Sequence, residues 1–376
     1  MTDPEGTSRP EGTSRPGGTS GPGGTSRQDA ITDVSGLRVG HARVAGPGAL
    51  SGTTVVLAPA GGMVAAVDVR GGGPGTRETD ALDPRNVVQR IDAVVLTGGS
   101  AYGLDSAAGV MAWLEERHRG VRVGPDPAHV VPVVPAACVF DLGRGGDFAA
   151  RPDAATGRAA VEAADASGDH ARVETGAVGA GTGVVVGGLR GGVGTASAVL
   201  ESGITVGALV VVNAVGAAVD PTNGVPYGAY FAAGPPVFPE ASVHEAAGRR
   251  LAEARKASAP PPLNTTLAVV ATDAALTRAQ ARKVAGTAHD GIARAVRPVH
   301  LMNDGDTVFA VATGARELPE APGPLALNEI LAAGADLVTR AIVRAVLAAP
   351  GGLRGPGGDF PSYRELYGPG TDAYFR

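Results

Sequence analysis

The chain has 376 residues, a formal charge of −5 and a hydrophobic content of 44%, enough for one large or two ordinary domains. It has no long run of Lys and Arg, so neither nucleic acid nor an anionic membrane is an expected partner. The single cysteine, Cys138, excludes an intrachain disulfide framework. No uninterrupted apolar stretch is long enough to span a bilayer, and the N-terminus lacks the apolar core of a secretory signal. These features predict a cytoplasmic enzyme.

The chain starts with a sequence repeat. Residues 4–27 hold four hexapeptide copies built from Pro, Glu, Gly, Thr, Ser and Arg, with no apolar side chain to bury. Such a segment cannot offset the entropy that ordering costs. We therefore predict a disordered tail over residues 1–30 and a folded part that begins near Ile31.

Apolar runs of strand length recur along the folded part. They predict strands at residues 53–58, 63–69, 91–97, 206–212, 267–272 and 307–313. Helical periodicity and capping residues predict four helices. The first begins after the N-cap Asp105 and the second spans residues 240–256. The third begins at the capping box Thr277-Arg278-Ala279-Gln280 and the fourth spans residues 328–347. Residues 257–263, with three consecutive prolines, predict an exposed linker.

The glycine-containing stretch at residues 98–104 predicts a tight loop between a strand and a helix. This order resembles a phosphate cradle, but the fingerprints GxGxxG and GxxxxGK[ST] are both missing, so nucleotide binding is not expected. The sequence around Ser100 is GSAYG rather than GxSxG. The seven histidines are scattered without ligand spacing, so neither a Ser-His-Asp triad nor a metal or other cofactor is predicted.

Three predicted strands carry polar residues at one end. Asn213 follows the strand at 206–212, and its amide suits the stabilisation of an oxyanion or the capping of a strand end. Asp304 and Asp306 precede the strand at 307–313. Because residues two apart in an extended chain point to the same side, these carboxylates should converge on one site, although Asn, Asp and Gly also form ordinary solvated turns.

The tripeptide Asn264-Thr265-Thr266 stands between the linker and the strand at 267–272. A threonine at this place can simply be a residue that favours strands. If the Asn264–Thr265 bond is cut, however, Thr265 gains a free amine beside its hydroxyl and carries both nucleophile and base. Thr266 is the alternative nucleophile.

Together these motifs resemble a known family. The stretches Asn264-Thr265-Thr266, Asp304-Gly305-Asp306-Thr307, Leu96-Thr97-Gly98-Gly99-Ser100-Ala101-Tyr102-Gly103-Leu104 and Gly179-Ala180-Gly181-Thr182-Gly183 are similar, in matching order, to those of the P1 family of self-cleaving peptidases. That family includes L-aminopeptidase/D-esterases, β-aminopeptidases and nylon-oligomer hydrolases. The similarity runs from about Ile31 to the last helix.

The resemblance implies an α/β (α+β) fold of the N-terminal-nucleophile-like type, an αββα sandwich. It implies self-cleavage at Asn264–Thr265 into an α fragment, residues 1–264 with the folded part at 31–264, and a β fragment, residues 265–376. The fragments would stay associated and assemble into homo-oligomers. Thr265 matches the nucleophile, Asn213 the oxyanion amide, and Asp304 and Asp306 the polar pair. The implied substrates are small peptides, amides or esters.

Two departures from the family pattern concern the candidate substrate pocket, in which we place Ser100, Tyr102, Phe140 and Arg190. Many relatives carry a lysine where this chain has Gly188, and Arg190 is two residues away to compensate for the lost charge. The nylon hydrolases carry a tyrosine where Phe140 stands. These changes bear on substrate class rather than on fold. Two other functions stay open: an acyltransferase of the ornithine acetyltransferase kind, and a ligand-binding protein that never cleaves.

Overall fold

The computed structural model describes residues 27–258, 263–320 and 325–368, so the repeat up to residue 26 and most of the predicted linker lie outside the described residues. The strands are β1 (Arg38–Arg43), β2 (Gly52–Leu57), β3 (Val64–Val69), β4 (Thr76–Arg77), β5 (Ala93–Thr97), β6 (Val121–Arg122), β7 (Val130–Val131), β8 (Ala136–Cys138), β9 (Val185–Val186), β10 (Leu189–Arg190), β11 (Gly192–Val199), β12 (Thr205–Val212), β13 (Leu267–Ala274), β14 (Thr307–Arg316), β15 (Leu353–Gly355) and β16 (Gly358–Phe360). The α-helices are α1 (Ser100–Gly103), α2 (Ser106–Glu115), α3 (Ala154–Ala166), α4 (Ala241–Lys256), α5 (Arg278–Ala295), α6 (Ala326–Ala348) and α7 (Tyr363–Tyr367).

Two five-stranded sheets form the centre of the described chain. The first has the strand order β1-β2-β5-β8-β4, and the second has the order β11-β12-β13-β14-β3. In the second sheet β13 and β14 are parallel, whereas the other neighbours are antiparallel. Strands β12, β13 and β14 match the apolar runs that predicted them.

Side-chain alternation along the strands builds the layers. On β2, Val56 faces the second sheet, where it belongs to one buried cluster with Leu209, Val269 and Phe309, while Val55 packs with helices α2 and α3. In the second sheet, the alternate residues of β12 and β13 pack against α5 and α6. Because successive strand residues point to opposite faces, each sheet has two apolar faces to cover. The order of layers is helix, sheet, sheet, helix, as expected.

Two local expectations had different outcomes. Thr277 caps α5 with its side chain, and Gln280 returns the bond, so the capping box is confirmed. The loop predicted at residues 98–104 instead contains the helical turn α1, which Gly99 enters with φ at 77°. Asp105 directly precedes α2, but its side chain makes no capping hydrogen bond. The left-handed conformation at Gly99 reverses the chain so that a helical turn can form at once.

Four strand ends of the second sheet lie side by side at one end of the sheet. Val211 near the end of β12 pairs with Leu267 at the start of β13, which pairs with Thr307 at the start of β14, which pairs with Val69 at the end of β3. The polar residues near these positions therefore meet at the same end of the sheet.

Among the described residues, no helix combines the length and apolar character needed to cross a lipid bilayer.

Candidate active site

Thr265 lies at the end of the second sheet where these strand ends meet, and its hydroxyl is directed at the peptide bond that precedes it. Its Oγ1 donates a 2.6 Å hydrogen bond to the carbonyl oxygen of Asn264. The N–H of Gly305 donates to the same oxygen at 2.9 Å. The N–H of Thr265 donates to the main-chain oxygen of Asn213 at 2.8 Å. The carbonyl that would be attacked therefore already accepts a main-chain N–H bond, which is the arrangement that stabilises a developing oxyanion.

Gly305 must be glycine for this geometry to form. A Cβ atom at this position would lie 2.6 Å from Thr265 Oγ1 and 2.8 Å from the carbonyl oxygen of Gly73. The glycine run that begins at Gly71 packs equally closely against the same turn, since the N–H of Gly73 donates to Asp304 O at 2.7 Å. The glycines thus let three backbone segments approach Thr265 closely.

Both carboxylate oxygens of Asp306 accept hydrogen bonds that hold the turn to the segment before β13. Its Oδ1 accepts the N–H of Thr266 at 2.7 Å. Its Oδ2 accepts the N–H of His300 at 3.2 Å and faces His300 Nδ1 at 2.7 Å. Asp306 is buried, so these bonds fix the residue that follows Thr265. Thr266 itself directs its Oγ1 to Asn213 O at 3.5 Å, away from the Asn264 carbonyl.

Asp304 has a different environment, although it lies two residues away. Its Oδ2 accepts the N–H of Leu301 at 2.9 Å, while its buried Oδ1 has no hydrogen-bond partner among the described residues. Burial, and to a smaller extent the nearby Asp306, raise the pKa of Asp304. A carboxylate with a raised pKa and a free oxygen is suited to accept a proton, so the structure separates the two carboxylates that the sequence treats alike.

Asn213 is buried, and its side-chain amide is held in one orientation. Its Oδ1 accepts a 2.8 Å hydrogen bond from Arg144 Nη1 and a 3.1 Å bond from the N–H of Val185. Its Nδ2 donates to the main-chain oxygen of Phe140 at 3.3 Å. Because two donors meet Oδ1, a flipped amide would place its NH2 group against them. The NH2 group of the Asn213 amide therefore points away from Arg144 and the N–H of Val185.

Arg144 is a buried cation that the sequence did not point to. Its Nη1 also donates to Gly183 O at 2.7 Å, and its buried Nη2 has no partner among the described residues. Burial lowers the pKa of Arg144 to about 10 and raises the pKa of the neighbouring Asp141 to about 6. Arg144 thus brings a positive charge directly against Asn213, in a place where burial makes charge costly.

Of the four predicted pocket residues, Ser100 and Phe140 lie near each other, because the N–H of Ser100 donates to the main-chain oxygen of Val139 at 3.0 Å. Ser100 begins α1, and Tyr102 is exposed beneath the guanidinium of Arg151 at 3.8 Å. Arg190 donates to the main-chain oxygens of Gly351 at 3.0 Å and Thr182 at 3.4 Å. The main-chain oxygen of Phe140 accepts a hydrogen bond from the side chain of Asn213, one of the predicted catalytic residues. Within the described residues, the cation that contacts Asn213 is therefore Arg144 rather than Arg190.

A cavity of about 510 Å³ lies beside the strand ends. Its lining includes Val185 and the residues that follow Asn213, namely Ala214 and Val215. None of the four predicted pocket residues lines it. Its remaining walls come from α4, from the segment before His300 and from β16. A space assembled from such distant segments has no local sequence signal.

Comparison with known proteins gives the family. Residues 29–357 match the profile of Peptidase family S58. An uncharacterized aminopeptidase of Mycobacterium tuberculosis is 46% identical over 358 residues, which cover 90% of this chain and 98% of the relative. A 6-aminohexanoate-oligomer endohydrolase of Kocuria sp. is 33% identical over 295 residues, 77% of each chain.

Solved structures agree with the observed layers. A β-aminopeptidase of Burkholderia sp. matches with a TM-score of 0.66 at 25% identity, over 92% of this chain and 94% of that one. The L-aminopeptidase D-Ala-esterase/amidase of Ochrobactrum anthropi, described as a variant of the Ntn hydrolase fold, matches with a TM-score of 0.67 at 23% identity, over 92% and 94%. The fold and family expected from the sequence are confirmed: this chain belongs to peptidase family S58 and is a hydrolase of the aminopeptidase kind.

Proposed function

We propose that this chain cleaves itself between Asn264 and Thr265 and then acts as an N-terminal threonine hydrolase on small peptides, amides or esters. The observation that carries the proposal is the 2.6 Å contact between Thr265 Oγ1 and the Asn264 carbonyl oxygen. The 2.9 Å bond from Gly305 N–H to that oxygen supports it, because a donor stands where negative charge would develop.

Maturation is an acyl shift from nitrogen to oxygen. Thr265 Oγ1 attacks the Asn264 carbonyl carbon and loses its proton, for which Asp304 is the candidate acceptor. Asp304 passes the proton to the nitrogen, the C–N bond breaks, the nitrogen leaves as the amine of Thr265, and an ester joins Asn264 to Oγ1. Water then hydrolyses the ester, which gives Asn264 a carboxylate and frees the hydroxyl.

The environment of Asn264 favours this cleavage. Its side-chain oxygen and nitrogen are both buried, with no hydrogen-bond partner among the described residues. A buried polar group without a partner costs roughly 1–3 kcal/mol. The uncut chain therefore carries an unfavourable group next to the bond that breaks, and cleavage releases it.

In turnover, the new amine of Thr265 acts as the base. An α-amino group titrates at about 7.7–8.0, near working pH. The N–H of Thr265 already donates a 2.8 Å hydrogen bond to the main-chain oxygen of Asn213, and this bond orients the nitrogen. Thr265 Oγ1 would attack the substrate carbonyl, the Asn213 amide would stabilise the oxyanion, and Asp304 would orient the ammonium and hydroxyl. Asp306, whose oxygens are taken by Thr266 and His300, would hold the strand in place. Water would hydrolyse the acyl-enzyme.

The fragments 1–264 and 265–376 would stay together after the cut. Strand β13 of the second fragment pairs with β12 of the first, and β14 pairs with β3. Both fragments thus share one sheet, whose ladders do not depend on the broken bond. As part of the same proposal, the pairs of fragments assemble into homo-oligomers in the cytoplasm. The names of the aminopeptidase relatives suggest amide substrates with a free amino group.

Two matched variants test the nucleophile. Thr265→Val and Thr266→Val each replace a hydroxyl with a methyl group and keep the β-branched shape. We expect Thr265→Val to stay uncut and to hydrolyse none of a panel of L-α, D-α, β and 6-aminohexanoyl p-nitroanilides. Thr266→Val should still mature and turn over. The opposite pattern would assign the nucleophile to Thr266, and activity in both would refute the mechanism.

A further inference from the structure

The cavity of about 510 Å³ shares a wall with the candidate catalytic centre. Val185, which lines it, donates its N–H to Asn213 Oδ1 at 3.1 Å. Ala214, also in the lining, directly follows Asn213, whose main-chain oxygen accepts the N–H of Thr265. On another side Pro298 lies two residues before His300, which binds Asp306. The cavity therefore borders the chain segments that hold Asn213 and Asp306.

The body of the cavity is apolar. Valine, alanine and glycine residues from β9 and from the segment after β12 form one side, and Pro298 and Phe360 form another. Ligand sites of this kind bind an apolar body and fix its orientation with a few polar groups. The charged residues in the lining therefore decide which polar end the ligand carries.

Three charged side chains line the cavity: Arg255, Arg297 and Asp359. Asp359 is neutralised from behind, by Arg250 at 2.7 Å and Arg354 at 3.5 Å. Neither Arg255 nor Arg297 forms an ion pair with a carboxylate of the described residues. The cavity thus presents a net positive charge, which rules against the ammonium end of a substrate and favours an anionic one.

The two guanidinium groups are free to bind a ligand. Arg255 makes one long hydrogen bond, 3.5 Å from its Nη2 to Gly187 O. Arg297 lies 5.3 Å from the ring centroid of Tyr227 and near Asp220, whose pKa is lowered mainly by Thr222 and to a smaller extent by Arg297. Its guanidinium has no hydrogen-bond partner among the described residues. Guanidinium groups match the planar geometry of a carboxylate and bind it with two parallel hydrogen bonds.

We propose that this cavity is the leaving-group subsite of the enzyme and that Arg255 and Arg297 bind a free carboxylate there. The inference rests on the function proposed above. An aminopeptidase substrate carries its amino end before the scissile bond, so its carboxylate lies on the leaving side. The preferred substrates are therefore short, with an aminoacyl group joined to a small amino acid whose carboxyl group is free.

A matched pair of substrates tests the carboxylate. The aminoacyl group is first chosen as the one whose p-nitroanilide is hydrolysed fastest, and is then coupled to glycine and to glycinamide. We expect kcat/KM for the free acid to exceed that for the amide by about tenfold, the worth of one good charged hydrogen bond. Equal values for the two substrates would overturn the subsite.

Variants then locate the binding group. In the double variant Arg255→Gln/Arg297→Gln the ratio of kcat/KM for the acid to kcat/KM for the amide should fall from about ten to about one. Arg249→Gln is the control, since Arg249 lies on the same helix, is 71% exposed at its side chain and does not line the cavity. A preference that persists in the double variant refutes the role of these arginines.

A binding measurement separates this inference from the proposed function. Calorimetric titration of the Thr265→Val chain with pentanoate and with pentanamide needs no turnover. Tighter binding of pentanoate, lost in the Arg255→Gln/Arg297→Gln background, supports the subsite even if the chain proves to be no hydrolase. Equal binding of the two ligands refutes the subsite even if self-cleavage and hydrolysis are demonstrated.

Discussion

The guanidinium of Arg144 donates a 2.8 Å hydrogen bond to the side-chain oxygen of Asn213. The bond fixes the orientation of the amide, whose Nδ2 donates to the main-chain oxygen of Phe140, and the positive charge polarises its N–H groups. Both effects make Asn213 a stronger donor to an oxyanion. In the proposed mechanism Arg144 would therefore act on the reaction through Asn213 rather than by touching the substrate.

Replacing Arg144 should slow turnover without weakening substrate binding. We expect Arg144→Met to lower kcat by about tenfold or more with little change in KM, and Arg144→Lys to recover part of the loss. Asn213→Ala should cost about 10²–10³ in rate if its amide is the oxyanion donor. Adding Arg144→Met to Asn213→Ala should then cost little more. Fully additive losses in this double-mutant cycle would show that Arg144 acts independently.

Gly305 should be required for self-cleavage. In Gly305→Ala the new Cβ would lie 2.6 Å from Thr265 Oγ1, so the hydroxyl or the turn must move. We expect most of this variant to remain uncut when wild type is fully processed, as judged by the fraction of fragments on a denaturing gel. The control is Gly248→Ala on α4, where a Cβ meets no atom within 4 Å. Maturation of Gly305→Ala at the wild-type rate would contradict the arrangement at the junction.

The unpartnered amide of Asn264 should make the uncut chain less stable. In the Thr265→Val background, Asn264→Leu replaces two buried polar atoms that lack partners with apolar ones. We expect the free energy of unfolding to rise by about 1–3 kcal/mol, measured by denaturant titration. The same change at the exposed Asn328 serves as the control and should give no gain. A loss of stability in Asn264→Leu would mean that the amide is satisfied in the folded chain.

Acid should destabilise the fold partly through buried histidines. Burial lowers the pKa of His289 from 6.5 to about 4, and that of His41 likewise. Between these values the unfolded chain binds more protons than the folded one, so stability falls as the pH drops. The decrease in Tm from pH 6.5 to about 4 should be smaller in His289→Gln than in wild type and unchanged in His129→Gln, where the histidine is exposed. Equal decreases in all three would refute the assignment.

The central strands and their polar ends were predictable because each is a local pattern. The apolar runs of β12, β13 and β14 identify three neighbouring strands, and Asn213, Thr265 and Asp304 lie within three residues of their ends. Family resemblance supplied the layer order. The helical turn α1 was missed because its glycines read as a loop, and the left-handed Gly99 starts the helix at once.

The supporting groups of the site were not predictable, because each acts across a long sequence separation. Arg144 contacts Asn213 from 69 residues away, and no periodicity or motif marks it. The donor from Gly305 is a main-chain N–H, which every residue except proline possesses, so its residue type does not mark it as a donor. His300 lies six residues before Asp306, and only the turn between them brings the two side chains together.

The most direct test of self-cleavage is the intact mass of the purified wild-type protein, together with N-terminal sequencing of each species. The account predicts two associated fragments, of which the smaller begins Thr-Thr-Leu-Ala-Val-Val at Thr265. A single uncut chain after long incubation, or a smaller fragment that begins at any other residue, would contradict it.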